Sequence, residues 1–182
     1  SKAEDVLRKL KELIDRDRDE NRKVLDELRR LIERDREKNR RIMEKLKKIV
    51  RELEEALKVD GKELVKKVEE ELRRVVEEVK KLLKESTDEL DKIVRDVEEL
   101  LKRSEEKVED IERKVREEAR ELREDVLKRI EDELERWKEE VERSKREIEK
   151  LIKEARDEND KSRKTIEKII REAEKILRDR DR

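Results

Sequence analysis

"VLRKLKELIDRDRDENRKVLDELRRLIERDREKNRRIMEKLKKIV", residues 6–50, decides how the rest of the chain is read. Its apolar residues fall at Val6, Leu7, Leu10, Leu13 and Ile14, then at Val24, Leu25, Leu28, Leu31 and Ile32. They return at Ile42, Met43, Leu46, Ile49 and Val50, and each set lies 18 residues after the one before. Steps of three and four within a set mark one face of an α-helix. Eighteen residues make about five turns at ~3.6 residues per turn, so that face does not drift around a straight helix. A heptad repeat would instead impose a left-handed supercoil. The spacing predicts long helices that pack nearly straight.

The same step continues through the chain. It links Val65, Leu83 and Leu101, then Leu72, Leu90, Val108 and Val126. Further on it links Ile130, Ile148 and Ile166, and Leu134, Ile152 and Ile170. Punctuation is almost absent, because the chain holds no proline and one glycine. Ser1 can cap the first helix, with Glu4 at the capping-box position. The stretch "LKVDGKELV", residues 57–65, supplies one clear turn at Asp60 and Gly61, where a positive φ at the glycine would end a helix. Helix 1 is expected over about 2–58, a turn at about 59–61, helix 2 over about 62–121 and helix 3 over about 126–178, in one domain spanning 1–182.

Charge content is 63%, against roughly 25% in ordinary soluble domains. Disorder is not the reading, since disordered chains carry large net charge and no apolar period. Here 57 basic and 58 acidic residues leave a net charge of -1, and the apolar spacing is strict. That balance gives no reason to expect a nucleic acid or an anionic membrane as partner. No apolar run approaches the ~18 residues of a membrane span, and no targeting signal is recognisable. Cysteine is absent, so neither a disulfide framework nor a redox indication of compartment exists.

The polar residues that interrupt the apolar face carry further information. Asn21 falls near its centre, and Asn39 repeats it 18 residues later. Ser86 and Ser104 are 18 apart, as are Ser144 and Ser162, with Asn159 close to the last of these. Facing residues on antiparallel helices keep a constant total of residue numbers. Asn21 with Ser104 and Asn39 with Ser86 share the total 125, while Ser104 with Ser144 and Ser86 with Ser162 share 248. These totals fold the chain back near residues 62 and 124, and the first fold meets Gly61. The expected fold is all-α, an antiparallel up-down-up three-helix bundle of long straight helices. Its polar layers would be buried, hydrogen-bonded and responsible for register, as a single buried Asn is in coiled coils. Asp17 and Asp35 lie near the edge of the same face, where they can join these layers or reach water.

The second fold meets "ELREDVLKR", residues 121–129, which contains neither glycine nor proline. Two arrangements satisfy the totals. A tight turn near Leu122–Glu124 can precede a helix capped by Asp125, giving a monomer. Alternatively the helix continues through residues 122–125, and two chains exchange halves as a domain-swapped dimer.

Several motifs suggest chemistry and dissolve on inspection. Asp15, Asp17, Asp19 and Asp26 imitate a calcium loop. Such a loop needs glycine at its sixth position and a bidentate glutamate at its twelfth, where this chain has Glu20 and Asp26. The apolar phase also runs through it unbroken, so solvent-face ion pairing is the reading preferred. Ser86 with Glu89 and Ser144 with Glu147 match capping boxes inside helices that do not stop, and read as false starts. Trp137, on the stripe between Leu134 and Val141, is expected to fill core near Ile111 rather than bind a ligand. With no histidine or cysteine, no nucleophile–base pair involving either is available. No catalytic residue, metal ligand or cofactor site is therefore expected.

The 18-residue step, the polar positions in register, the "KVDGKE" loop and the Glu, Lys and Arg filler outside the stripe resemble de novo designed, parametrically generated straight helical bundles. That resemblance covers the whole chain and implies a hyperstable scaffold without natural activity, requiring no partner or cofactor. A natural rod or tether of the spectrin-like kind would show supercoiling, irregular spacing and more aromatic residues. A binding module would need an apolar patch outside the stripe, where only isolated residues such as Ala3 and Leu127 stand.

Overall fold

The computed structural model describes residues 2–59 and 61–180, so the cap expected at Ser1 and the turn residue Asp60 lie outside the described residues. The protein is an all-α three-helix bundle: α1 (Lys2–Lys58), α2 (Lys62–Glu118) and α3 (Glu124–Arg180), with a 3₁₀ turn at Ala119–Glu121. Each helix has 57 residues. Strong helix formers occupy nearly every exposed position, but isolated helical propensity is a weak force; burial of the apolar stripe is what stabilises helices of this kind.

The chain divides into two compact units, Ser1–Arg30 with Lys92–Lys153, and Leu31–Asp91 with Glu154–Arg182. In the first, Leu10 and Ile14 of α1 pack with Val108 and Val115 of α2 and with Val126, Ile130, Leu134, Trp137 and Val141 of α3. In the second, Leu46, Ile49 and Leu53 meet Val68, Leu72 and Val75, with Ile166 and Ala173 from α3. Cross-helix contacts give the directions. In the first unit Glu105 pairs with Lys145 and Glu112 with Lys138, so α2 and α3 run antiparallel. Arg18 pairs with Glu140 and Arg29 with Glu147, so α1 and α3 run the same way. In the second unit Asp35 meets Ser86 and Lys45 meets Glu78, making α1 and α2 antiparallel.

The two turns differ from their expected forms. Gly61 does not adopt a positive φ and does not close α1; its carbonyl accepts the first bond of α2, from the Val65 amide at 2.9 Å. It is the N-cap of α2, a position glycine tolerates well. The glycine-free turn tightens α2 into a 3₁₀ turn at Ala119–Glu121, a common ending for an α-helix. Leu122 packs partly buried against the first unit's core, anchoring the turn where no special backbone residue exists. The Arg123 carbonyl then accepts from the Leu127 amide at 2.9 Å, so α3 begins before Asp125. Asp125 is therefore not the cap; it sits with Glu124 in the first turn, where a negative charge suits the helix dipole.

Candidate functional site

The groups worth testing for function are the polar ones drawn into the core. Around Asp17 of α1 the first unit gathers one donor from each other helix. The Ser104 hydroxyl of α2 donates to Asp17 Oδ1 at 2.6 Å, and the Trp137 indole N–H of α3 donates to Oδ2 at 2.8 Å. Asp17 is 2% exposed, so those two bonds replace the solvation its carboxylate gives up on folding. A buried indole N–H needs an acceptor as much as the carboxylate needs donors, and each answers the other.

One turn along α1, Asn21 is also buried, but its Oδ1 has no hydrogen-bond partner. Ser104, which the residue totals set opposite it, bonds Asp17 instead. Ser144 is only half-buried, and beside it lies a polar groove of about 370 Å³ between α1 and α3. Asp17, Asn21, Leu25, Trp137, Val141 and Ser144 line this groove, with Arg18, Arg22, Glu140, Arg143 and Glu147 around them.

The second unit has its own polar layer. The buried Ser86 hydroxyl donates to Asp35, which is half-buried, and not to Asn39. Asn39, buried, donates through Nδ2 to Asn159 Oδ1 at 3.4 Å. Ser162 is half-buried, like Ser144. Of the seven residues expected to form layers, the structure therefore joins only Asn39 and Asn159 to each other directly. Ser104 and Ser86 turn to aspartates four residues before the asparagines. The physical reason is acceptor capacity: a carboxyl group offers two oxygens to a buried hydroxyl where an amide offers one. The signal was present in the sequence, since Asp17 and Asp35 keep the 18-residue step and Trp137 requires an acceptor.

Ion pairs border both layers. Arg18 makes a bidentate pair with Glu140 at 2.5 and 2.7 Å, and Arg36 repeats it on Glu158 at 2.5 and 2.6 Å. Hydrogen bonding to Glu140 raises the Arg18 pKa, and hydrogen bonding to Glu158 does the same for Arg36. Lys145 is raised by its bond to Glu105. Asp15 and Asp19 are exposed on a continuous helix, which has no loop to fold around a cation. Among the described residues no group of three or more His, Cys, Asp or Glu side chains is placed to hold a metal ion. Among them also, no helix is long and apolar enough to cross a membrane.

The chain is similar in structure to a computationally designed three-helix bundle, with a TM-score of 0.61 at 20% identity, over 98% of this chain and 90% of that one. No protein-family model and no curated protein matches it.

Proposed function

We propose that the chain is a designed structural scaffold, a monomeric and hyperstable three-helix bundle with no catalytic role. The observation that carries this reading is the repetition of the polar contacts at the same 18-residue step as the apolar stripe. Asp17 and Ser104 recur as Asp35 and Ser86, and Arg18 and Glu140 recur as Arg36 and Glu158. Function at one site would favour one unit over the other; a generated architecture repeats its devices. Likeness to a computationally designed bundle supports the same reading. In it, the buried hydrogen bonds serve to select one register among the many that a uniform apolar stripe permits.

The break between Glu118 and Glu124 supports a monomer over the exchange of halves between two chains. Light scattering should give a mass near 22.4 kDa rather than about twice that. Thermal unfolding followed by circular dichroism should be cooperative and lie above about 90 °C. A broad transition near 50 °C would overturn the scaffold reading.

A further inference from the structure

The two connections differ in what their residues would do inside a helix. Gly61 caps α2, and glycine is among the least favourable residues for a helix interior, so the first turn resists straightening. The second connection, residues 119–123, reads Ala-Arg-Glu-Leu-Arg, all from the top of the helix-propensity ranking. They form the 3₁₀ turn at Ala119–Glu121 and the two residues after it. The apolar stripe runs straight through them. Val115, Leu122, Val126 and Ile130 keep the spacing of one helical face, and all four belong to the first unit's core.

The register of α2 on α3 would survive straightening. Glu105 with Lys145 and Glu112 with Lys138 share the total 250. Two antiparallel copies of an unbroken α2–α3 helix keep that total when their two-fold axis passes residue 125, beside the connection itself. The α2–α3 contacts of one chain can then form between two chains. Leu122 with Val126 totals 248, so near the axis Leu122 of one copy faces Val126 of the second, and the stripe stays closed. We propose that the chain has a partner in a second copy of itself, through exchange of α3. Residues 119–123 become helical, one helix runs from Lys62 to Arg180, and each α3 seats on α1 and α2 of the other copy. Both states bury the same stripes, so the connection and the protein concentration set the balance between them. Tethered through so short a connection, a chain's own α3 has an effective concentration of about millimolar. The closed monomer therefore forms in dilute solution, and exchange competes as the protein approaches that range. Passing between the states requires α3 to leave its core, so each persists once folded.

Proline at residue 124 separates the two states. It is tolerated at the first position of a helix, which Glu124 occupies in α3, and it disrupts a helix interior, where residue 124 stands after exchange. The test is to unfold the full chain in hot guanidinium and refold it at about 5 μM and at about 1 mM. Both samples are diluted alike, and size exclusion with light scattering gives the masses. The dilute sample should give 22.4 kDa, and the concentrated one should add a species of twice that mass that persists for days after dilution. Glu124→Pro should lower its yield about tenfold or more while leaving the helical circular dichroism of the monomer unchanged. Arg123→Gly, which makes this helix start match Gly61, should lower it by less. No double-mass species in the concentrated sample overturns the proposal. So does one that returns to monomer within minutes of dilution, which marks ordinary association of closed bundles. Equal yields from Glu124→Pro and Arg123→Gly, both folded, overturn it as well, because the connection would then not be straightening. A double-mass species already dominant in the dilute sample, and abolished by Glu124→Pro, would end the reading of the scaffold as a monomer and leave the exchange standing.

Discussion

The two polar layers begin from the same plan and end differently. Asp17 has donors on both carboxylate oxygens and is 2% exposed; Asp35 is half-buried and accepts from the Ser86 hydroxyl through Oδ1. The difference traces to one position, Trp137 in the first unit and Ala155 in the second, 18 residues apart. A second position inverts the bias. Val141 leaves Asn21 without a partner, whereas its counterpart Asn159 provides one for Asn39. Both units thus give their aspartate a donor, and the second unit bonds its asparagine as well. The comparison teaches that burial and hydrogen bonding are set locally, by which third side chain faces the pair, even where the backbone plan repeats.

Trp137 is the sharpest place to break this asymmetry. Trp137→Ala removes the largest buried side chain and leaves one Asp17 oxygen without its donor. A loss of about 3–5 kcal/mol in guanidinium unfolding is expected, the usual cost of emptying an aromatic core position. Trp137→Phe keeps most of the volume but not the N–H, and should cost less. If Trp137→Ala loses under about 1 kcal/mol, the indole is not holding the layer together.

The serines test whether burial decides the cost of an orphaned carboxylate. Ser104→Ala strips a donor from an aspartate that is almost fully buried and should lose about 1–3 kcal/mol. Ser86→Ala does the same to a half-buried aspartate, where water substitutes, so a loss below about 1 kcal/mol is expected. Equal losses in chemical denaturation would mean that the two layers differ in appearance only. The asparagines should respond differently. Asn21→Leu removes a buried acceptor that nothing satisfies and should gain about 1 kcal/mol, while Asn39→Leu orphans Asn159 and should gain nothing. A clear loss from Asn21→Leu would show that Asn21 has an essential partner in solution.

Much of this was legible in the residues. The apolar stripe defined three helices because its 18-residue step admits one helical face and no alternation of strand type. The polar intruders could be found by the same step, but their partners could not. Residue totals locate backbones opposite one another to within about a turn. The choice between Asp17 and Asn21 as the acceptor for Ser104 then depends on side-chain acceptor capacity and reach. Helical side chains also lean toward the N-terminus, so contacts shift away from the positions their Cα atoms suggest. Gly61 shows the same limit at a turn: its presence marked the break, while its role as the start of α2 depended on the backbone angles.

The smallest effects belong to the exposed ion pairs, where the two units should agree. Arg18 and Glu140 are 40% and 34% exposed in their side chains, and Arg36 and Glu158 are 49% and 39% exposed. At such exposure a bidentate pair contributes no more than about 1 kcal/mol and weakens with salt. Both guanidinium pKa values are raised by hydrogen bonding to the partner glutamate, so the folded state holds these protons more tightly than the unfolded one. Stability from that source is complete below the ordinary arginine value and is lost only as pH climbs through the raised one, in strong alkali. Arg18→Met and Arg36→Met should therefore each lose less than about 1 kcal/mol, and the raised guanidinium values add no slope between them and the parent across the neutral range. The two losses should shrink together as sodium chloride is raised toward about 1 M. A salt-insensitive loss confined to Arg18→Met would mean that this pair supports the Asp17 layer, making the border of the first unit part of its asymmetry.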